Sequence, residues 1–206
     1  MIGAIAVAML VASLPAIVIG VGTAILGIVV AGAVGAGELA ALFMIPALFL
    51  TMVMAFVGAA YIDGGIWSFV LKVCRGEPYE FKDVFAGRPH FVPMLGAVLL
   101  HQIAITVGMM ACYVPGIILA IGLMFFKLII VDKKLGAIDA LKASWNLTNG
   151  HKVDLFVFGL LAVGICMLGE LACGIGLLVA GPIVMYAMAH IYLKLTNQPV
   201  AMIPKA

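Results

Sequence analysis

From Met1 to Gly37 the chain carries no charged residue, and further apolar stretches follow at intervals to Leu193. A helix needs about 20 mostly apolar residues to cross a bilayer. Inside hydrocarbon only helices and closed barrels satisfy their own backbone groups. The runs read as six spans: Ile2–Val30, Leu39–Tyr61, Phe91–Ala111, Ile117–Val131, Leu155–Leu171 and Leu177–Leu193. Hydrophobic residues make up 66% of the 206 positions and charged residues 10%. A soluble fold of this composition would expose large apolar patches. The expected fold class is therefore all-α, a polytopic transmembrane bundle of about six spans in three hairpins, forming one integral membrane domain over residues 1–206. The first run, uncharged and lacking a basic leader, reads as a retained segment rather than a cleaved signal.

The basic residues confirm the threading. Lys72, Arg75, Lys82 and Arg88 fall in the connection between the second and third runs. Lys127, Lys133, Lys134, Lys142 and Lys152 fall in or beside the connection between the fourth and fifth, and Lys194 and Lys205 follow the last. All 11 lie on one face, which the positive-inside rule makes cytoplasmic. Both termini are then expected inside, in a bacterial cytoplasmic (inner) membrane. The short turns on the other face carry Glu38 and Glu170. A net charge of +2 gives no reason to expect a nucleic-acid partner.

Two segments disturb the simple pattern. The first two runs are long for a plain crossing, so the N-terminal hairpin over residues 1–60 tilts or protrudes. Asp63-Gly64-Gly65 interrupts the second run, and a bend there would lay Ile66–Val73 along the inner interface with Trp67 as anchor.

The long connections carry amphipathic patterns. Phe81, Val84 and Phe85 fall at helical spacing within an expected interfacial helix near residues 78–87. Asp132 is a candidate N-cap for a second helix near 133–149, with Leu135, Ile138, Leu141 and Trp145 as its apolar stripe and Asn149-Gly150 as its stop. That helix is either a strut closing the base of the bundle or a docking or lipid-sensing surface.

Ionisable groups in membrane segments are costly and so mark candidate sites. Here they are Asp63 at the glycine break, His101 with Gln102 midway along the third run, Glu170 near the outer end of the fifth, and His190 near the inner end of the sixth. His101 reads either as a neutral imidazole bonded across helices or as a proton- or ligand-handling group. Asp63 and His101 meet only if the second helix continues unbent past Gly64. No Gly-x-Ser-x-Gly or His-Glu-x-x-His motif and no phosphate-cradling loop occurs, so no catalytic residue, cofactor or metal ligand is assigned. Met109, Met110 and Cys112 faintly suggest a soft-metal site, though methionine in lipid ordinarily fills space. The cysteines Cys74, Cys112, Cys166 and Cys173 form no Cys-x-x-Cys pair, and a Cys112–Cys173 bridge near the outer surface is conceivable.

From Tyr61 onward a pattern of residues is distinctive. Gly65 precedes Phe69, Arg75-Gly76 and Asp83-Val84-Phe85, and Pro115-Gly116-Ile117-Ile118 opens the fourth run. Ala137-Ile138-Asp139-Ala140-Leu141-Lys142-Ala143-Ser144-Trp145 precedes Gly150-His151-Lys152 and Leu155-Phe156, and Gly174-Ile175-Gly176 precedes Pro182 and Tyr186. This resembles six-span bacterial membrane proteins of unknown function that include the membrane domain attached to some glycerophosphodiester phosphodiesterases. The resemblance implies six spans with cytoplasmic amphipathic segments, and no phosphodiesterase activity, because there the catalytic domain is a separate soluble barrel.

Two functions fit these features. One is a non-enzymatic membrane scaffold or accessory subunit, assembling with itself or another membrane protein through glycine-rich faces. The other is a small transporter or lipid-handling protein, using Gly/Pro breaks in its spans and a polar cavity near His101 and Gln102.

Overall fold

The structure is a computed structural model, and it describes residues 38–80, 83–84, 88–171 and 175–199. These residues form helices and connections, with no strand among them. The helices are α1 (Glu38–Arg75), α2 (Phe91–Ala111), α3 (Tyr113–Gly122), α4 (Phe126–Lys133), α5 (Ala137–Thr148), α6 (Lys152–Leu171) and α7 (Ile175–Leu195). By length and composition Phe56–Arg75 within α1, α2, Tyr113–Lys133 and α6 are able to cross a membrane, and Val179–Leu195 is a shorter apolar stretch. The protein is a multi-pass helical membrane protein. The expected first span and the Cys112–Cys173 bridge lie outside the described residues, the latter because of Cys173.

Glycine sets the tight hairpins. Only Cys112 separates α2 from α3. A Cβ on Gly108 would lie 3.0 Å from the Gly116 Cα, so the two backbones meet where neither residue has a side chain. The α6–α7 hairpin closes in the same way, since a Cβ on Gly176 would lie 2.6 Å from the Gly169 Cα. Val114-Pro115-Gly116, whose Pro-Gly pair would suit a turn, lies instead in the first turn of α3, where proline's missing N–H costs nothing.

The second helix corrects an expectation. It is not interrupted at Asp63-Gly64-Gly65 but runs as one helix from Glu38 to Arg75. Gly65 serves contact rather than a break: a Cβ there would lie 1.7 Å from the Val84 carbonyl oxygen, so the connection after α1 packs directly on the helix backbone. The helix ends at Gly76, whose φ of 72° permits the Schellman pair Glu77 N–H to Lys72 O and Gly76 N–H to Val73 O.

That connection also departs from its pattern. Residues 77–80 are irregular, and the described part of the expected 78–87 helix is a single tight turn at Asp83–Val84. Asp83 holds the turn by accepting from the Glu80 N–H at 3.0 Å and from Lys72 Nζ at 2.9 Å. Val84 faces inward and is buried against Gly65, while Phe81 and Phe85, the other apolar positions of the expected helix, lie outside the described residues.

The core gathers where α1, α4, α5 and α7 converge. Phe69, Val70, Cys74, Phe125, Leu128, Ile130, Ala140, Tyr192 and Leu193 are all fully buried there. By contrast α6 buries only Leu155 and Gly169 among its residues.

Candidate functional site

The polar chemistry of the bundle sits between α1 and α4. Lys127 Nζ donates to Asp63 Oδ2 at 2.6 Å, and the two side chains remain 29% and 26% exposed. The Lys127 ammonium stands 6.0 Å from the Phe126 ring centre. The His101 ring lies 4.8 Å from that ring on the α2 side. Asp63, Lys127 and His101 are thus brought together around Phe126, and the partner of Asp63 is Lys127 rather than His101. Further along α1, Arg75 binds Asp132, the last acidic residue of α4. The other Asp132 oxygen accepts from Tyr192 Oη at 2.7 Å and Gln198 Nε2 at 2.8 Å. Arg75 also donates to the Gln198 side-chain amide oxygen, Oε1. Gln198, three residues past α7, is placed for this by a second Schellman end: Asn197 has φ 53°, and Gln198 N–H bonds Leu193 O at 2.9 Å.

Asp132 was expected to cap the following helix. It lies inside α4, and α5 begins after Gly136 with no side-chain cap. A carboxylate that accepts from three distant donors is worth more to the fold than one capping a surface turn.

The apolar segment Tyr113–Lys133 is broken at Leu123–Phe125, and α5 repairs it. Phe125 N–H donates to Ser144 Oγ at 3.2 Å, and Ser144 Oγ donates to Gly122 O at 3.0 Å. Thr148 Oγ1 also donates to Gly122 O at 3.2 Å. Both hydroxyl residues are fully buried. A Cβ on Gly122 would lie 2.3 Å from the Trp145 ring, so the indole covers the break. The face of α5 that meets the bundle is therefore Ala140, Ser144 and Thr148 at i, i+4, i+8. Of the expected stripe, Leu135 and Leu141 are partly buried, Trp145 is half-buried, and Ile138 is 58% exposed. The stripe is rotated because buried backbone groups at the break demand hydroxyls rather than methyls. Lys152 Nζ sits 3.8 Å from the Trp145 ring centre, a cation–π contact.

The remaining candidates stand apart. Gln102 and Glu170 are exposed, and His190 is exposed with its ring 6.5 Å from that of Tyr186. His90, just before α2, is buried, and burial together with the nearby Lys134 charge holds its imidazole below the usual histidine range. Asp83, bonded by the Glu80 N–H and by Lys72, is held below the ordinary carboxylate range. Trp67, expected at the interface, is buried, and its Nε1 has no hydrogen-bond partner among the described residues. Cys74 and Cys112 are free, the former buried and the latter exposed. Among the described residues no three His, Cys, Asp or Glu side chains stand close enough to hold a metal.

Lys127, Arg75, Asp132, Tyr192 and Gln198 escaped the sequence reading as a site. The available signal was charge order: α1 carries acid then base, α4 base then acid.

Residues 83–203 match the model of a family described as Domain of unknown function (DUF7847). An uncharacterized protein of Mycobacterium tuberculosis is 29% identical over 147 residues, 70% of this chain and 44% of its own length. A UPF0259 membrane protein of Pectobacterium carotovorum is 33% identical over 98 residues, 47% of this chain and 39% of its own. The chain spans less than half the length of these curated relatives. No solved structure matches.

Proposed function

The chain belongs to the family described as Domain of unknown function (DUF7847), and we propose that this protein is a non-enzymatic membrane scaffold or accessory subunit, assembling with itself or with another membrane protein. The observation that carries this reading is α6. Val153, Phe156, Leu160, Leu161 and Leu168 are exposed around the helix, and an added Cβ on Gly159 or Gly164 would meet nothing within 4 Å. Open glycines on a helix that, among the described residues, packs mainly on α3 and α7 let another helix approach closely. The interior supports the same reading, since Asp63 and Asp132 each pair with a cation of this chain.

The reading includes the inner bacterial membrane, a single membrane domain and both termini in the cytoplasm, as the one-sided basic residues suggest. It also keeps the kinship with the membrane domain attached to some glycerophosphodiester phosphodiesterases, carried by the Ala-Leu-Lys-Ala-Ser-Trp segment at 140–145. Mass photometry of nanodisc-embedded protein tests it. A homo-oligomer or a co-purifying membrane protein is expected, and Gly159→Leu with Gly164→Leu should reduce the assembled fraction severalfold. Bare monomer in every lipid composition would defeat the proposal.

One observation favours a second reading, a lipid-handling protein. The Asp63–Lys127 pair is partly open although it lies within spanning segments.

A further inference from the structure

We propose that Asp63 and Lys127 form a binding site for the headgroup of a zwitterionic phospholipid, one bearing both an ammonium and a phosphodiester. This goes beyond the scaffold reading and does not depend on assembly.

The pair is incompletely used. Among the described residues Asp63 Oδ1 and two Lys127 Nζ protons have no further partner. A quarter-exposed ion pair in a spanning segment is costly when hydrocarbon meets it. A polar group covering the pair removes that cost. The free groups are one carboxylate acceptor beside a set of N–H donors. An ammonium fits the first and phosphate oxygens fit the second, with charge-assisted hydrogen bonds on both sides. A purely anionic headgroup satisfies Lys127 but is repelled by Asp63, so the site discriminates by charge pattern rather than by net charge.

Native mass spectrometry of the full chain released from nanodiscs of equimolar phosphatidylethanolamine and phosphatidylglycerol tests the site. Retention of phosphatidylethanolamine is expected to exceed that of phosphatidylglycerol by about tenfold, the equivalent of one charge-assisted hydrogen bond. The double variant Asp63→Asn, Lys127→Gln leaves no unpaired charge and should abolish the preference, while Asp63→Glu keeps it. Equal retention of the two lipids by the unmodified chain overturns the proposal, whether or not the double variant folds. So does a preference for phosphatidylglycerol, or a preference unchanged in a folded double variant. Displacement of the bound lipid by free O-phosphoethanolamine at matched concentration overturns the lipid as ligand.

Discussion

A single methyl group at Gly65 measures how the connection after α1 is held. Its Cβ would lie 1.7 Å from a backbone oxygen of Val84, and a carbonyl cannot rotate away as a side chain can. Gly65→Ala should destabilise the protein by about 2 kcal/mol, within the usual cost of overpacking. Gly58, seven residues earlier in the same helix, meets nothing within 4 Å. There the helix preference of alanine acts alone, and Gly58→Ala should stabilise by about 0.5–1 kcal/mol. Thermal unfolding in lipid nanodiscs distinguishes the two, and equal effects would show that Val84 does not rest on Gly65. His90 gives a pH dependence. Burial and Lys134 lower its folded pKa below the ordinary 6.5, so the folded state binds fewer protons than the unfolded chain near and below that pH. Its contribution is complete above pH 6.5 and is lost as pH falls through the depressed folded value. The unfolding midpoint of the native chain should drop on acidification from pH 7.5 to 5, and His90→Gln should flatten that drop. An unchanged slope in the variant would place the titration elsewhere.

Between elements, two ion pairs of opposite polarity join α1 to α4. Asp63 meets Lys127 and Arg75 meets Asp132. Sliding α4 so that Asp132 reached Asp63 would face two carboxylates and leave both cations unpaired, so charge order selects the register as in other buried polar contacts that specify alignment. Asp132→Asn strands Arg75, which is 23% exposed, and should cost about 3 kcal/mol. Tyr192→Phe removes one neutral donor and should cost about 1 kcal/mol. Reversible unfolding of both variants and their combination should give a coupling energy well away from zero, since both act on one carboxylate. Strict additivity would separate Tyr192 from the Arg75–Asp132 pair. These contacts also mark the limit of what the sequence makes legible. The bounds of α2 follow from an apolar run that opens after Arg88-Pro89-His90 and closes before Pro115-Gly116, and Phe91–Ala111 is found as expected. The break at Leu123–Phe125 is invisible, because every residue there is apolar and its remedy, Ser144, lies 19 residues from Phe125. Asp132 beside a helical pattern resembles a cap until Arg75, Tyr192 and Gln198 arrive from 57, 60 and 66 residues away. Local periodicity records which face is apolar, and it does not record which backbone groups the rest of the chain must satisfy.

At the scale of the whole molecule, the apolar runs and their turns determine where water begins. Cys112 is the lone residue between α2 and α3 and is exposed, whereas Cys74 is buried in the core. Lys134, in a left-handed conformation after α4, is exposed at the opposite end of the Tyr113–Lys133 segment. Tyr113–Lys133 separates them by 21 residues, or about 31 Å of helix and so about one hydrocarbon thickness even with the short break. The two positions therefore face different aqueous compartments if this segment crosses. With the basic connections inside, a chain retaining Cys112 as its sole cysteine should react with a membrane-impermeant maleimide on intact cells. A chain whose only cysteine is introduced by Lys134→Cys should react only after the membrane is opened. Cys74 alone should stay unlabelled in both conditions until the protein is denatured. Reversed labelling of the first two would invert the orientation while preserving the fold. Labelling of both from the same side would remove Tyr113–Lys133 as a span, and with it the placement of Asp63 and Lys127 inside the membrane, because an ion pair bathed in water on both helices needs no lipid headgroup to cover it.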